Sequence, residues 1–201
     1  MKKATIALLL ICGAVFAQQK GSFTDTRDKK TYKTVKIGEQ TWMAENLNYS
    51  VESSKCYEDD ESNCQKYGRL YDWGTAVKAC PKGWHLPKNE EWYKLMVSAG
   101  GDEVAGMHLK AKEGWVENGN GTDNYGFSAL PGGCLPDGCG GSYDNTVGRH
   151  GIWWSATNYS YDSEGRYEFY HYTNMDLSRR TYFGDSEISS SNLLSVRCLK
   201  N

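Results

Sequence analysis

A single α+β domain, exported and held by disulfides, is predicted by three features of the sequence: a short apolar leader, period-two alternation near both ends, and helical spacing between them. The 201 residues fit one domain, and 4 Pro with 22 Gly exclude proline-rich and collagen-like chains. Mean hydropathy of -0.68 excludes a membrane-embedded protein. A formal charge of -2 gives no basic field for phosphates, so no nucleic-acid partner is predicted. The 14 Tyr and 7 Trp against 5 Phe favour rings with polar handles, a bias that suits an extracellular binding module.

The elements follow in chain order. Lys2 and Lys3 precede an apolar run over 4–16, and Val15-Phe16-Ala17 ends it with a short residue, so 1–17 is predicted to be a cleaved signal peptide. The run is shorter than the roughly 20 residues that span a bilayer, so no membrane insertion is predicted after its removal. Ile11 before Cys12 argues against a lipid anchor. Cleavage leaves 21 basic against 25 acidic residues, a net charge of -4. Residues 18–30 are polar and aperiodic and are predicted to be a tether, with the domain proper over 31–201. Alternation over 31–37, a Gly38-Glu39 break and its resumption over 40–43 predict a β-hairpin. Apolar residues at 70, 73, 76 and 77 predict a short helix, and a better one follows with Asn89 as its cap, Glu90 and Glu91 in its first turn, and Gly100-Gly101 at its end. Its buried face is predicted to be Trp92, Leu95, Met96 and Ala99. Beyond Gly100 the Gly/Asn clusters at 118–126 and 132–145 predict loops and no helix. Three strands are predicted at 151–156, 167–172 and 193–200, the last turning Leu194, Val196 and Cys198 to one inward face.

Without Cys12 six cysteines remain, and an even number in an exported chain predicts disulfides. Fifteen pairings are open; spacing favours Cys56 with Cys64 and Cys134 with Cys139, which leaves Cys80 with Cys198. No C-x-x-C pair occurs and the four His are scattered, so no zinc site is predicted.

Six ordered motifs then carry a resemblance. Trp42-Met43-Ala44-Glu45-Asn46-Leu47-Asn48-Tyr49, Tyr67-Gly68-Arg69-Leu70-Tyr71-Asp72-Trp73, Cys80-Pro81-Lys82-Gly83-Trp84-His85-Leu86-Pro87, Gly126-Phe127-Ser128-Ala129-Leu130-Pro131, Trp153-Trp154-Ser155-Ala156-Thr157 and Ser195-Val196-Arg197-Cys198-Leu199-Lys200 resemble the Fibrobacter-type major paralogous domain family over about 30–201. The resemblance implies a secreted or cell-surface bacterial protein and names no activity. More distantly the chain is similar to the formylglycine-generating-enzyme type of C-type-lectin-like fold, which implies paired N- and C-terminal strands and a long functional loop region. The Glu-Pro-Asn, Gln-Pro-Asp and Trp-Asn-Asp motifs of calcium-dependent lectins are missing, and the only late cysteine is Cys198, where the enzymes use two.

The candidate ligand platform is aromatic: Trp153, Trp154, Tyr159, Tyr161, Tyr170 and Tyr172, with one tryptophan of the adjacent pair turned to the core and the other to solvent. Trp73, Trp84 and Trp92 are assigned to the core. Asp59, Glu61 and Asn63 are the weak candidates for calcium, without the glycine and bidentate glutamate of an EF-hand, and Asn118, Asn120, Asp123 and Asn124 offer oxygens in a turn-forming loop. Calcium apart, no cofactor is predicted. Asp72, Glu91, Glu117, Asp162 and Glu168 are acids without a pairing that singles any out, and no nucleophile motif occurs. The predicted function is a non-catalytic binding module for a glycan, cell-wall polysaccharide or surface protein; the alternatives are an enzyme on the same scaffold, with Cys134 and Cys139 as a reactive pair, and a structural component of a surface assembly.

Overall fold

A computed structural model describes residues 19–136, 147–160, 168–176, 178, 182–184 and 188–201. The predicted signal peptide lies outside them. Strand β1 (Lys20–Thr24) pairs antiparallel with β2 (Thr31–Ile37), and β2 turns through Gly38 into β3 (Gln40–Met43). The hairpin has the predicted bounds. The tether does not hold, because 20–24 form a strand; as an edge strand largely exposed on both faces, β1 carries no hydrophobic alternation to reveal it. Its return turn is locked by Asp25, fully buried, whose carboxylate takes the Arg27 guanidinium at 2.7 Å.

Next come β4 (Ser54–Lys55), a 3-10 turn (Tyr57–Asp59), α1 (Glu61–Tyr67), β5 (Leu70–Tyr71) and α2 (Trp73–Ala79). The predicted helix at 70–77 is therefore split. Asp72 accepts from the Thr75 backbone N–H at 2.8 Å, which fixes the helix start after it and frees Leu70 and Tyr71 for a sheet. After β6 (Trp84–His85), α3 (Asn89–Ser98) buries Trp92, Leu95 and Met96, with Ala99 buried just beyond it. Its cap is Lys88 in place of Asn89: the Glu91 carboxylate accepts the Lys88 N–H at 2.8 Å, while the Asn89 N–H is taken by Thr157 Oγ1. A short α4 (Ala105–Leu109) lies where only loops were predicted, anchored by buried Ala105 and Leu109. The chain closes through β7 (Gly151–Ser160), β8 (Glu168–Met175), β9 (Tyr182–Gly184), β10 (Leu194–Ser195) and β11 (Leu199–Lys200). The single strand predicted at 193–200 is two short ones, yet Leu194, Val196 and Cys198 do share one core.

Two sheets result, with orders β1-β2-β3-β11-β6 and β4-β5-β10-β7-β8-β9. Among the described strands the pairings are antiparallel except β10 with β7. The fold is α+β with mixed sheets and few, short helices. Strand β11 inserts between β3 and β6, pairing Leu199 with both Trp42 and His85.

Two apolar clusters flank β7. Trp154 and Ile152 join Tyr71, Leu194 and Val196 in one; Trp153 joins Trp42, Trp92 and Phe127 in the other. Cys56–Cys64 and Cys80–Cys198 are bonded. Cys134 is also disulfide-bonded, and its expected partner Cys139 lies outside the described residues. Among the described residues no helix is long and apolar enough to cross a membrane.

Candidate functional site

The predicted aromatic platform is not built from the tryptophans. Trp153 and Trp154 do point to opposite faces of β7, but both faces are core and each side chain is 0% exposed. Trp154 Nε1 donates to Tyr71 O at 2.6 Å and Trp153 Nε1 to Asn46 Oδ1 at 2.8 Å. Tyr172 is buried as well. Tyr161 and the side chains of Tyr159 and Tyr170 lie outside the described residues. Of the three tryptophans assigned to the core, Trp84 and Trp92 are buried and Trp73 is half-buried.

Trp153 belongs to a buried polar knot. Arg197, fully buried, reaches Asn46 Oδ1 through Nε at 3.0 Å and Nη2 at 2.6 Å, donates from Nη1 to Phe127 O, and lies 4.4 Å over the Phe127 ring. Asn46 Nδ2 in turn donates to Tyr67 O at 2.8 Å. Burial lowers the Arg197 pKa to about 9, partly offset by Glu45 and Asp123 at longer range, so the guanidinium stays charged at neutral pH. The knot ties together five of the six motifs through Asn46, Tyr67, Phe127, Trp153 and Arg197.

The acids are similarly engaged. Glu61 lies 3.5 Å from Arg69, and Asn63 donates to Tyr57 O. Asp59 is exposed, in a left-handed conformation. Cys56, Glu61 and Cys64 are clustered, but the sulfurs are bonded to each other and offer no thiolate to a metal. In the second loop Asn120 Oδ1 accepts from Trp115 N–H and both Asp123 oxygens accept from Ser128, which are turn-forming roles. Asn118 is exposed in a left-handed conformation, and Asn124 donates its backbone N–H to His108 O. Asp72 caps α2, Glu91 bonds His85 at 3.0 Å, and Glu117 pairs with Arg149. Asp162 and the Glu168 side chain lie outside the described residues.

Among the described residues one hollow of about 560 Å³ lies against Asn89, Glu90, Tyr93 and Lys94 of α3, and two further concave regions are lined in part by residues of the segment 55–74. The first of these two is a groove region of two neighbouring hollows of about 350 and 520 Å³ that share Ser191 and Leu193 as lining residues. Trp73 walls one end. Its indole packs against the core, with Nε1 donating to Ser155 O at 3.0 Å, while the backbone N–H donates to Ser190 O, so the ring is fixed as it meets the groove. Ser190 and Ser191 lie beside it, and Lys55, Glu58 and Asp59 line the far end. The second is a cleft of about 400 Å³ floored by Tyr32, Ala44 and Asn46 and rimmed by lysines. Gly68 forms part of its wall; at φ 79° a Cβ there would stand 2.7 Å from Asn46 Cβ, so only glycine lets the end of α1 approach so closely.

The model of the Fibrobacter succinogenes major domain matches residues 35–200. The chain belongs to this family. No curated protein and no solved structure matches it. As a Fibrobacter succinogenes major domain, the chain spends its most recognisable residues on the interior: Asn46, Trp153 and Arg197 form the knot, and Cys80 and Cys198 the bridge. Sequence reasoning missed both surface sites. Trp73, in the second motif, carried the one signal for the groove, since an indole directly after a helix-capping aspartate stands at the helix start and is not required to turn fully inward.

Proposed function

We propose that this chain is an exported, non-catalytic binding module of C-type-lectin-like architecture that holds a glycan in the groove at Trp73. The observation that carries the reading is a half-buried indole, anchored at Nε1 and at its backbone, lining a hollow with serines beside it and a neighbouring hollow that carries acids. A flat ring presents an apolar face on which a sugar's axial C–H groups stack, and the flanking hydroxyls and carboxylates accept its O–H donors. Two disulfides suit an oxidising compartment and so favour export. The pairing of β11 with β3 and the bridge from the end of α2 to the residue before β11 support the lectin-like architecture. The bonded state of Cys134 speaks against a reactive thiol pair.

The test is retention of the purified domain on a panel of insoluble and soluble polysaccharides, with and without a calcium chelator, against Trp73→Ala checked for folding by circular dichroism. Retention weakened about tenfold or more in the variant supports the groove. Retention equal in both proteins sinks it, and self-association with no retention moves the function to a surface assembly.

A further inference from the structure

Arg69 Nη1 lies 3.5 Å from both sulfurs of the Cys56–Cys64 bridge, so one guanidinium straddles the bond. The side chain is held in place: Nε donates to Ser54 Oγ at 2.9 Å, and the backbone N–H donates to Leu47 O. One anion opposes it, since Glu61 Oε2 stands 3.3 Å from Cys56 Sγ and 3.5 Å from Arg69. The cation outweighs the anion, because the Arg69 side chain is 15% exposed against 66% for Glu61, and water screens the carboxylate more. The bridge is also the less firmly held of the two whose ends are described. A bridge and the fold stabilise each other equally, and a separation of 8 residues closes off far less chain entropy than one of 118.

We infer that Cys56–Cys64 is a thiol-exchange site, opened by a dithiol reductant while Cys80–Cys198 stays closed. The reductant's thiolate attacks Cys56 Sγ, in the residue that is 6% exposed where Cys64 is fully buried. A new sulfur–sulfur bond forms, the Cys56–Cys64 bond breaks, and its electron pair leaves on Cys64 Sγ as a thiolate beside Arg69. The reductant's second thiolate then attacks its own sulfur in the mixed disulfide and releases Cys56. Two electrons and two protons have passed to the chain, and the dithiol has become a disulfide. Arg69 stabilises the Cys64 thiolate, which makes Cys64 the better leaving group and the reduced state the more favourable. Cys56 directly precedes the 3-10 turn whose Glu58 and Asp59 line the groove with Lys55, so exchange loosens one wall of that hollow whatever occupies it.

The experiment equilibrates the full chain at neutral pH in buffers of graded reduced to oxidised dithiothreitol, traps free thiols with acid and iodoacetamide, and maps the labelled peptides. Equilibrium is what is read, so burial of the sulfurs affects only the time taken. Cys56–Cys64 is expected to open at a ratio at least about tenfold below the one that opens Cys80–Cys198, with the circular dichroism unchanged. Arg69→Gln should raise the ratio for Cys56–Cys64 about tenfold, and Arg69→Lys, which keeps the charge, should stay within about threefold of the unaltered chain. Glu61→Gln, an exposed change, should lower it about threefold. An Arg69 that only props the loop shifts the ratio the other way, because a looser loop opens more easily. Both bridges opening at one ratio, Arg69→Gln lowering the ratio or leaving it unchanged, or Glu61→Gln failing to lower it each overturns the inference. If Arg69→Gln does not fold, Glu61→Gln decides alone.

Discussion

Replacing Asn46 by alanine tests whether the buried knot is what joins the sheets. Asn46 Oδ1 accepts three N–H groups, two from Arg197 and one from Trp153, and its Nδ2 supplies a donor to Tyr67 O. Truncation strands these partners where water does not reach, since Arg197 and Trp153 are both fully buried. A buried group left without a partner costs about 1–3 kcal/mol, more when charged, and the stranded set shares one small space, so the sum is below full additivity. The expected loss is about 3–6 kcal/mol, a large part of the 5–15 kcal/mol that holds a typical domain. Urea unfolding with the disulfides intact, followed by tryptophan fluorescence, measures it. The Trp153→Phe variant removes one donor and leaves a smaller aromatic ring; in a double-mutant cycle with Asn46→Ala, which cancels the packing loss common to both backgrounds, it should show a coupling of about 1 kcal/mol or more. A loss below about 1 kcal/mol for Asn46→Ala, with no coupling, would refute the reasoning: solvent would then be reaching Arg197 and satisfying it.

The remaining predictions concern the bridges, one titrating lysine and one glycine. Cys80 and Cys198 are separated by 118 residues and Cys56 and Cys64 by 8, so the chain-entropy model makes the first bridge worth about 5 kcal/mol and the second about 2.5; paired serine variants should unfold in that order of severity, and equal midpoints would count against it. Lys110 is buried with Nζ on the carbonyls of Asp176 and Ser178, and burial lowers its pKa to about 8, with Asp176 opposing. Between pH 8 and its ordinary value of 10.5 the unfolded chain holds the extra proton, so stability contributed at this site rises with pH across that window. Comparison with Lys110→Met at pH 7.5 and 9.5 isolates it, and a gap that does not change with pH contradicts it. A Cβ on Gly151 would stand 2.3 Å from the Trp153 ring and 2.8 Å from Leu130 O, so Gly151→Ala should cost about 2 kcal/mol or more in thermal or urea unfolding, whereas Gly83→Ala, with open space, bears only its backbone penalty.

The sequence was most legible where one element carried its own pattern. The hairpin over 31–43 announces itself by alternation, and α3 by the spacing of Trp92, Leu95, Met96 and Ala99, because each has a single face against the core. Strand β1 was hidden since an edge strand exposed on both sides has no face to mark. The opposite case hid the fate of Trp153 and Trp154. Alternation sets them on opposite faces, but whether the second face is wet depends on what the rest of the chain lays over it, and here Tyr71 covers one side and Trp92 the other. The two concavities were illegible for a related reason. The cleft is assembled from residues around 30, 46, 66, 112 and 128, and no local spacing records that they meet.

The place of β11 sets a schedule for the chain as it is made. Leu199 is the middle rung between Trp42 and His85, so the five-stranded sheet stays split into β1-β2-β3 and a lone β6 until a segment more than a hundred residues later arrives. A nascent chain therefore presents the open flank of β3 for most of its synthesis, and such long-range closure is slow. On the proposed export route the chain would stay extended until it had crossed, which would postpone that exposed stage to a compartment where the 80–198 bond can form in the same event that seats the strand. Folding and oxidation then become one step, and reductant present during refolding should trap a species with the hairpin formed and its outer edge unpaired.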